Sequence, residues 1–383
     1  MSRVFCIPKK VVTGPGALEV LGSGLESYGK KALLVTGKHA VKDGTAGRVE
    51  KLLEQQGIGL VLYDGISGEP TDTMILEGLR EYRAAGCDFL IGLGGGSPLD
   101  AMKAIGVLAV HPGKLSDYLG KEIAGPLPGM VVIPTTAGTG SEATQFTIIT
   151  DTATQVKMLL KGAALLPDLA VVDPALSLSA PARVTASTGL DALTHSIEAY
   201  TSKKAQPLTD TLALSAVKRI FANLPTAYRE GKNAEAREEM AMAALEAGMA
   251  FNNSSVTLVH GMSRPIGALF HVPHGLSNAM LLGVCLEYAL PGTYERFAAL
   301  GRAVGAAEVS LPDQAAAEAF LAAVRDLCET CQVPTLAEYG VDRAAFFAQI
   351  DKMAEDAMNS GSPANTRRVL NAGVLKELYR KLW

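Results

Sequence analysis

The chain has 383 residues, 48% of them hydrophobic and 19% charged, with a formal net charge of −4. That length exceeds the roughly 250–300 residues one core sustains, so two domains are expected, and the composition excludes a disordered chain. The mild acidity, without a dense Lys/Arg cluster, argues against a nucleic-acid surface, and no apolar run approaches the ~18–20 residues that span a bilayer.

The opening "MSRVFCIPKK" lacks the apolar core of a signal peptide, so a soluble cytoplasmic protein without membrane partners is expected. The segment "RVFCIPKKVVTG" reads as an edge strand able to pair across an interface. Beyond it, "KALLVTG" (31–37), "GLVLYDG" (59–65), "DFLIGLGGG" (88–96), "MVVIPTT" (130–136) and "LAVVDP" (169–174) read as buried strands. Between them, "AGRVEKLLEQQG" and "MILEGLREYRAAG" have helical spacing and a closing Gly. Strands alternating with helices imply a parallel, doubly wound, Rossmann-like α/β domain over residues 1–181, which binds ligands beyond the carboxyl ends of its strands.

Within that half, "IGLGGGSPLDAMKAIG" follows a strand and opens a helix. Gly94, Gly95 and Gly96 let the backbone approach a ligand, and Ser97 with the helix N-terminus offers N–H donors to a pyrophosphate. Asp100 in the first turn either offsets the helix dipole or shapes the cofactor loop. The stretch is not the G-x-G-x-x-G fingerprint, and a tight turn is the plain alternative. "IPTTAGTGSEAT" (133–144) follows another strand and crowds the hydroxyls of Thr135, Thr136, Thr139, Ser141 and Thr144 around two glycines. A polar ligand spanning both loops, such as a dinucleotide, fits that pattern.

After Pro181 the pattern changes to long Ala/Leu-rich segments of helical periodicity, so residues 182–383 are expected to form an all-helical domain. "DALTHSIEAY" places Asp191 and His195 four apart, on one face of a helix. "VTLVHGMSRPIGALFHVPHGLSNAM" holds His260, His271 and His274, half of the six histidines, in an apolar setting. Together they favour a metal site. Imidazoles with one carboxylate suit Fe(II), Zn(II) or Co(II) without choosing among them. Pro265 is expected to interrupt a helix, so that His260 and His274 converge from two segments. The five cysteines suggest no disulfide framework, and Cys328 and Cys331 read as packing residues on a helix. His39 and His111 read as ordinary exposed histidines.

Four motifs in order, "GGGSPLDAMKAIG", "IPTTAGTGSEAT", "TGLDALTHSIEAY" and "HGMSRPIGALFHVPHG", resemble the iron-dependent (group III) alcohol dehydrogenase family over essentially the whole chain. The resemblance implies an N-terminal nucleotide-binding domain, a C-terminal helical domain, an active site in the cleft between them, and a homodimer or larger homo-oligomer. It puts the metal, Fe(II) by family with Zn(II) as the alternative, on Asp191, His195, His260 and His274. It puts the nicotinamide cofactor on Gly94, Gly95, Gly96, Ser97, Thr135, Thr136, Thr144 and Lys157, the last near the nicotinamide ribose. The implied reaction moves hydride between NAD(P)H and a small aldehyde. A non-redox enzyme of the dehydroquinate synthase type is the alternative within the same architecture.

The chain departs from the family at two places. Members that prefer NAD often carry Asp where this chain has Gly37, and that Asp repels a 2′-phosphate. Gly37 with Lys38 beside it therefore opens the site to NADP, with NAD still the first expectation. Many members carry a proton-relaying histidine where this chain has Arg264, and a permanently charged guanidinium cannot relay a proton. His271 then remains as a candidate relay, or else packs in the pocket wall. Facing the pocket, Arg264 would favour an aldehyde with an anionic head such as sulfoacetaldehyde, phosphonoacetaldehyde or a short semialdehyde. It could instead pair with a carboxylate or contact the cofactor; simple unsubstituted aldehydes are then the expected substrates.

Overall fold

The short β-branched runs form strands because both of their faces are covered. A computed structural model describes residues 2–154 and 156–383. Eight strands are present among them: β1 (Lys10–Thr13), β2 (Lys31–Val35), β3 (Gly59–Tyr63), β4 (Phe89–Gly94), β5 (Met130–Pro134), β6 (Phe146–Asp151), β7 (Val156–Lys161) and β8 (Leu169–Val172). Six build one parallel sheet in the order β1-β8-β5-β4-β2-β3, and β6 and β7 pair as an antiparallel hairpin.

Alternate residues of each central strand enter different cores. Leu33, Val35, Leu90, Met130 and Val132 pack with Ile75, Leu79, Leu99, Met102 and Ile105 of the helices Asp72–Ala85 and Gly96–Val110. Ala32, Leu34, Phe89, Ile91, Leu93, Val131 and Ile133 pack on the opposite face with Leu18, Leu21, Val49 and Leu53. Burial on two faces is why these strands read as continuous apolar runs rather than alternating ones. Local signals fix the helix ends: Thr71 Oγ1 accepts from Met74 N at 3.3 Å, and Gly86 closes the same helix at φ 63°.

Contacts divide the chain into Cys6–Ser179, which holds the sheet, and Ala180–Trp383 with the N-terminal residues through Phe5. From Ala182 onward every named element is helical. The helix Ala182–Thr201, preceded by Pro181, is buried on almost every side. Its hydroxyls remain satisfied because Thr194, Ser196 and Thr201 each donate to the carbonyl four residues back at 2.8 Å.

Pro265 does not interrupt its helix. Leu258–Phe270 runs through it, and the break falls at 271–273, before His274–Ala289. The residue whose carbonyl the proline ring crowds is Gly261, and the flanking Met262, Ser263, Ile266 and Gly267 are all buried. Tertiary packing therefore outweighs one lost backbone bond. The chain turns at His271 instead, at φ 54°, a left-handed position that histidine adopts more readily than most residues. Cys328 lies within the helix Asp313–Thr330 and Cys331 just after it; both are free thiols, pushed up by burial to about 12 and about 11.

Candidate active site

The sheet order sets β5, β4 and β2 side by side, so their carboxyl ends bring three segments together. Gly37 follows β2, Gly94–Ser97 ends β4, and Thr135–Thr136 follows β5. Such ends are where open α/β sheets bind ligands. Thr135 N donates to Gly94 O at 2.9 Å, and Thr36 Oγ1 to Leu93 O at 2.7 Å, which tie the three together. The glycines are required by space. Gly94 has φ 143°, and a Cβ on Gly96 would stand 2.9 Å from Thr139 Cγ2. The helix from Gly96 starts without a side-chain cap, so its first N–H groups remain available to an anion.

Other residues of this unit have protein partners. Asp100 accepts from Ser141 Oγ at 2.6 Å and from Ile148 N at 2.9 Å. Thr144 is buried and its hydroxyl donates to Ser141 O at 3.3 Å. Lys157, on β7, has its ammonium 2.7 Å from Glu69 Oε1. A Cβ on Gly37 would lie 2.7 Å from the Ile66 carbonyl, so packing by itself disfavours a side chain at this position.

In the helical unit, Asp191 and His195 stand one turn apart on Ala182–Thr201, His260 near the start of Leu258–Phe270, and His274 at the first position of His274–Ala289. One donor atom from each lies within 4.8 Å of all the others. Asp191 Oδ1 is 3.8 Å from both His260 Nε2 and His274 Nε2, and Asp191 Oδ2 is 4.0 Å from His195 Nδ1. His195 stacks between Phe251 and His260, at ring-centroid distances of 4.2 and 4.4 Å. Asp191, His195 and His260 are buried, whereas the His274 side chain is 30% exposed, so solvent reaches the cluster from its side.

The surrounding groups keep the donors available. Burial holds His260 well below the ordinary histidine range, and the nearness of His195 and Arg264 acts in the same direction. Its Nδ1 lies 2.6 Å from Glu198 Oε2, so Nδ1–H donates there and the Nε2 lone pair faces the cluster. Glu198 also accepts from Thr257 Oγ1 at 2.8 Å and Val259 N at 2.6 Å. Asn278 donates its amide to Asp191 Oδ1 at 2.7 Å, with the same nitrogen 3.1 Å from His260 Nε2 and 3.4 Å from His274 Nε2. Acceptor lone pairs thus converge on one point. A carboxylate and three imidazoles form a donor set suited to a borderline divalent ion.

Glu198, Asn278 and Gly275 were not singled out from the sequence. Glu198 is seven residues after Asp191 and Asn278 four after His274, so each shares a helical face with a donor. Gly275 has no such signal; a Cβ there would meet Ser187 O at 2.5 Å and Asp191 Cβ at 3.1 Å. His271 is outside the cluster: its imidazole is exposed and its carbonyl accepts from Tyr339 OH at 3.3 Å. Arg264 is half-buried and donates from Nη1 to Ser362 Oγ at 3.0 Å. Among the described residues, no carboxylate oxygen comes within ion-pair distance of it. Of the other two histidines, His39 is exposed 3.6 Å from Asp43, and His111 Nε2 is 2.8 Å from Ala124 O.

Comparison with known proteins bears on both units. Residues 8–174 match the sequence profile of iron-containing alcohol dehydrogenase, and residues 185–383 that of the C-terminal part of the Fe-containing alcohol dehydrogenase family. The chain is 40% identical to a 1,3-propanediol dehydrogenase of Citrobacter freundii over 382 residues, 98% of each chain. A crystal structure of a 1,3-propanediol oxidoreductase superposes with a TM-score of 0.96 at 38% identity, covering 100% of both chains. That of sulfoacetaldehyde reductase from Bifidobacterium kashiwanohense in complex with NAD+ superposes with a TM-score of 0.89 at 28% identity, covering 100% of this chain and 99% of that one.

Proposed function

This chain belongs to the iron-containing alcohol dehydrogenase family, and from that premise we propose that it interconverts a small aldehyde and its alcohol using a bound divalent metal and NAD(H). Family membership makes it an alcohol dehydrogenase, an oxidoreductase, and decides against the non-redox cyclase reading. The observation that carries the metal proposal is the set of four donor atoms, all within 4.8 Å of one another.

In this reading Asp191, His195, His260 and His274 hold Fe(II), with Zn(II) an ion the same donors accommodate. When bound, such an ion supplies Lewis acidity to a carbonyl oxygen, and reduced nicotinamide supplies the hydride. The chain's own groups do the rest. Glu198 keeps His260 in the tautomer whose Nε2 is a donor to the ion, and Asn278 holds the Asp191 carboxylate in place. Gly94, Gly95, Gly96, Ser97, Thr135 and Thr136 hold the pyrophosphate and ribose of the cofactor. Asp100, Thr144 and Lys157 shape or line that site. His271, an exposed imidazole three residues before His274, returns the proton that the product hydroxyl requires.

NAD is the proposed cofactor, supported by the NAD+ in the sulfoacetaldehyde reductase neighbour. With Gly37 at the end of β2 and exposed Lys38 next to it, no carboxylate there repels a 2′-phosphate, so NADP is accepted as well. For the substrate, Arg264 favours an aldehyde carrying an anionic head group, because its guanidinium is free of carboxylate partners among the described residues. The protein acts as a cytoplasmic homodimer in this reading, supported by β1, a sheet-edge strand whose partner is β8.

The test is an anaerobic assay of Fe(II)-loaded protein with NADH or NADPH and a panel of small aldehydes. Loss of NADH absorbance is expected with the wild type and not with a His260→Ala/His274→Ala variant. Full turnover by that double variant would remove the metal reading, and light scattering on the same sample tests the dimer.

A further inference from the structure

Lys103 lies in the middle of the helix Gly96–Val110 and is completely buried, between Met102 and Ala104, which are buried as well. Lysine is almost never found there unless its ammonium is fully paired. Here Nζ lies 2.7 Å from Ser141 O, 2.8 Å from Thr144 O and 3.1 Å from Phe146 O, one carbonyl for each of its three N–H donors. Thr144 Oγ1 and Ser141 Oγ complete the shell at 3.2 and 3.4 Å. Two carboxyl groups, part-buried Asp100 and buried Glu142, lie near it.

All three carbonyls belong to residues 141–146, the end of the segment between β5 and β6 and the first residue of β6. The helix that carries Lys103 begins at the glycine loop after β4. Asp100, one turn before Lys103, reinforces the link: it accepts from Ser141 Oγ and Ile148 N, and its carbonyl accepts from Thr147 Oγ1 at 2.7 Å. The two ligand-binding loops are therefore joined through a single buried cation and the carboxylate one turn away.

We propose that Lys103 is a positioning residue for the cofactor, setting the spacing between the glycine loop and the threonine loop so that one dinucleotide engages both. The inference rests on the cofactor reading given above. An apolar side chain of the same length would fill the space and remove the one donor that Ser141 O, Thr144 O and Phe146 O share, and the 141–146 segment would shift away from the helix. A ligand long enough to span both loops would lose affinity. A ligand that touches only one loop would not.

The experiment measures Kd for NADH and for AMP, by fluorescence and calorimetry, in wild type, Lys103→Met and the milder Ser141→Ala. The expected result is a tenfold or larger weakening for NADH in Lys103→Met with AMP changed less than twofold, and a smaller split in the same direction for Ser141→Ala. Should Lys103→Met fail to fold, the Ser141→Ala split carries the test. Unchanged NADH binding, or equal losses for NADH and AMP, would overturn the positioning role and leave a lysine that only stabilises the fold. Wild-type protein that binds neither NADH nor NADPH would instead overturn the cofactor reading itself.

Discussion

Glu198 Oε2 stands 2.6 Å from His260 Nδ1, and the other oxygen of the same carboxylate is held by Thr257 and Val259. Both oxygens act as acceptors, and no rotation of an amide can reproduce that. In Glu198→Gln, an NH2 group must face either the His260 N–H or the donors of Thr257 and Val259. His260 then loses its orientation or its tautomer. Affinity for Fe(II) or Zn(II), measured by competition with a chelator, is expected to fall about 10–100-fold. Helical content by circular dichroism should remain unchanged. Metal affinity equal to the wild type would mean that Glu198 does not support the cage.

At Gly275 the helix His274–Ala289 packs directly on the backbone of the helix Ala182–Thr201. A methyl group there would sit 2.5 Å from the Ser187 carbonyl, which is backbone and cannot swing aside. Gly275→Ala must therefore push the two helices apart at the level of Asp191, carrying His274 away from its partner donors. Overpacking of this kind costs about 1–3 kcal/mol. A lower Tm for the metal-free protein, together with weaker metal binding, is the expected outcome. A wild-type Tm would show that the helices can separate without cost.

The parts of the fold that were legible in the sequence are those where one physical demand dominates. Leu33, Ile91 and Val132 belong to strands buried on two faces, and long apolar β-branched runs have few other interpretations. The β6–β7 hairpin was not recognised, because its strands are only partly buried and Lys157 and Lys161 interrupt any apolar run. Asp191 and His195 were legible from helical spacing. Glu198 lay in the same ten quoted residues, but a carboxylate on a helix face is ordinarily a solvated group, and only its depth of burial marks it out. Lys103 was hidden for the same reason. Pro265 misled in the opposite direction: its local cost is real, but the buried residues around it decide the helix.

Arg264 lies one turn after His260 on the helix Leu258–Phe270. The guanidinium is fixed by Ser362 Oγ at 3.0 Å, and burial pulls its pKa down while the Glu198 charge pulls it back up. If it receives the anionic head of a substrate, Arg264→Ala should lower kcat/KM for sulfoacetaldehyde by tenfold or more beyond any loss with propanal, since charge-assisted hydrogen bonds are worth about 1.5–3 kcal/mol. Equal losses for the two substrates would assign Arg264 to packing beside His260 and end the anionic-substrate reading.

Glu142 makes stability depend on pH. It is buried beside Lys103, and burial pushes its carboxyl up to about 7 from the ordinary 4.5, with the nearby lysine acting in the opposite direction. The folded state therefore retains a proton that the unfolded chain releases near 4.5. Between these values the unfolded state binds fewer protons, so stability falls as pH rises. The contribution is present in full below pH 4.5 and is lost as pH rises through about 7. The loss is on the order of 3 kcal/mol at most. Glu142→Gln replaces the protonated acid with a neutral group of the same shape and should remove this slope. The measurement is urea unfolding of metal-free wild type and variant across this window. The stability of the wild type relative to Glu142→Gln should decline steadily with rising pH; histidines common to both proteins cancel in the difference. Parallel curves would place the Glu142 proton loss at its ordinary value and mean that the Lys103 cluster holds an ionised carboxylate throughout.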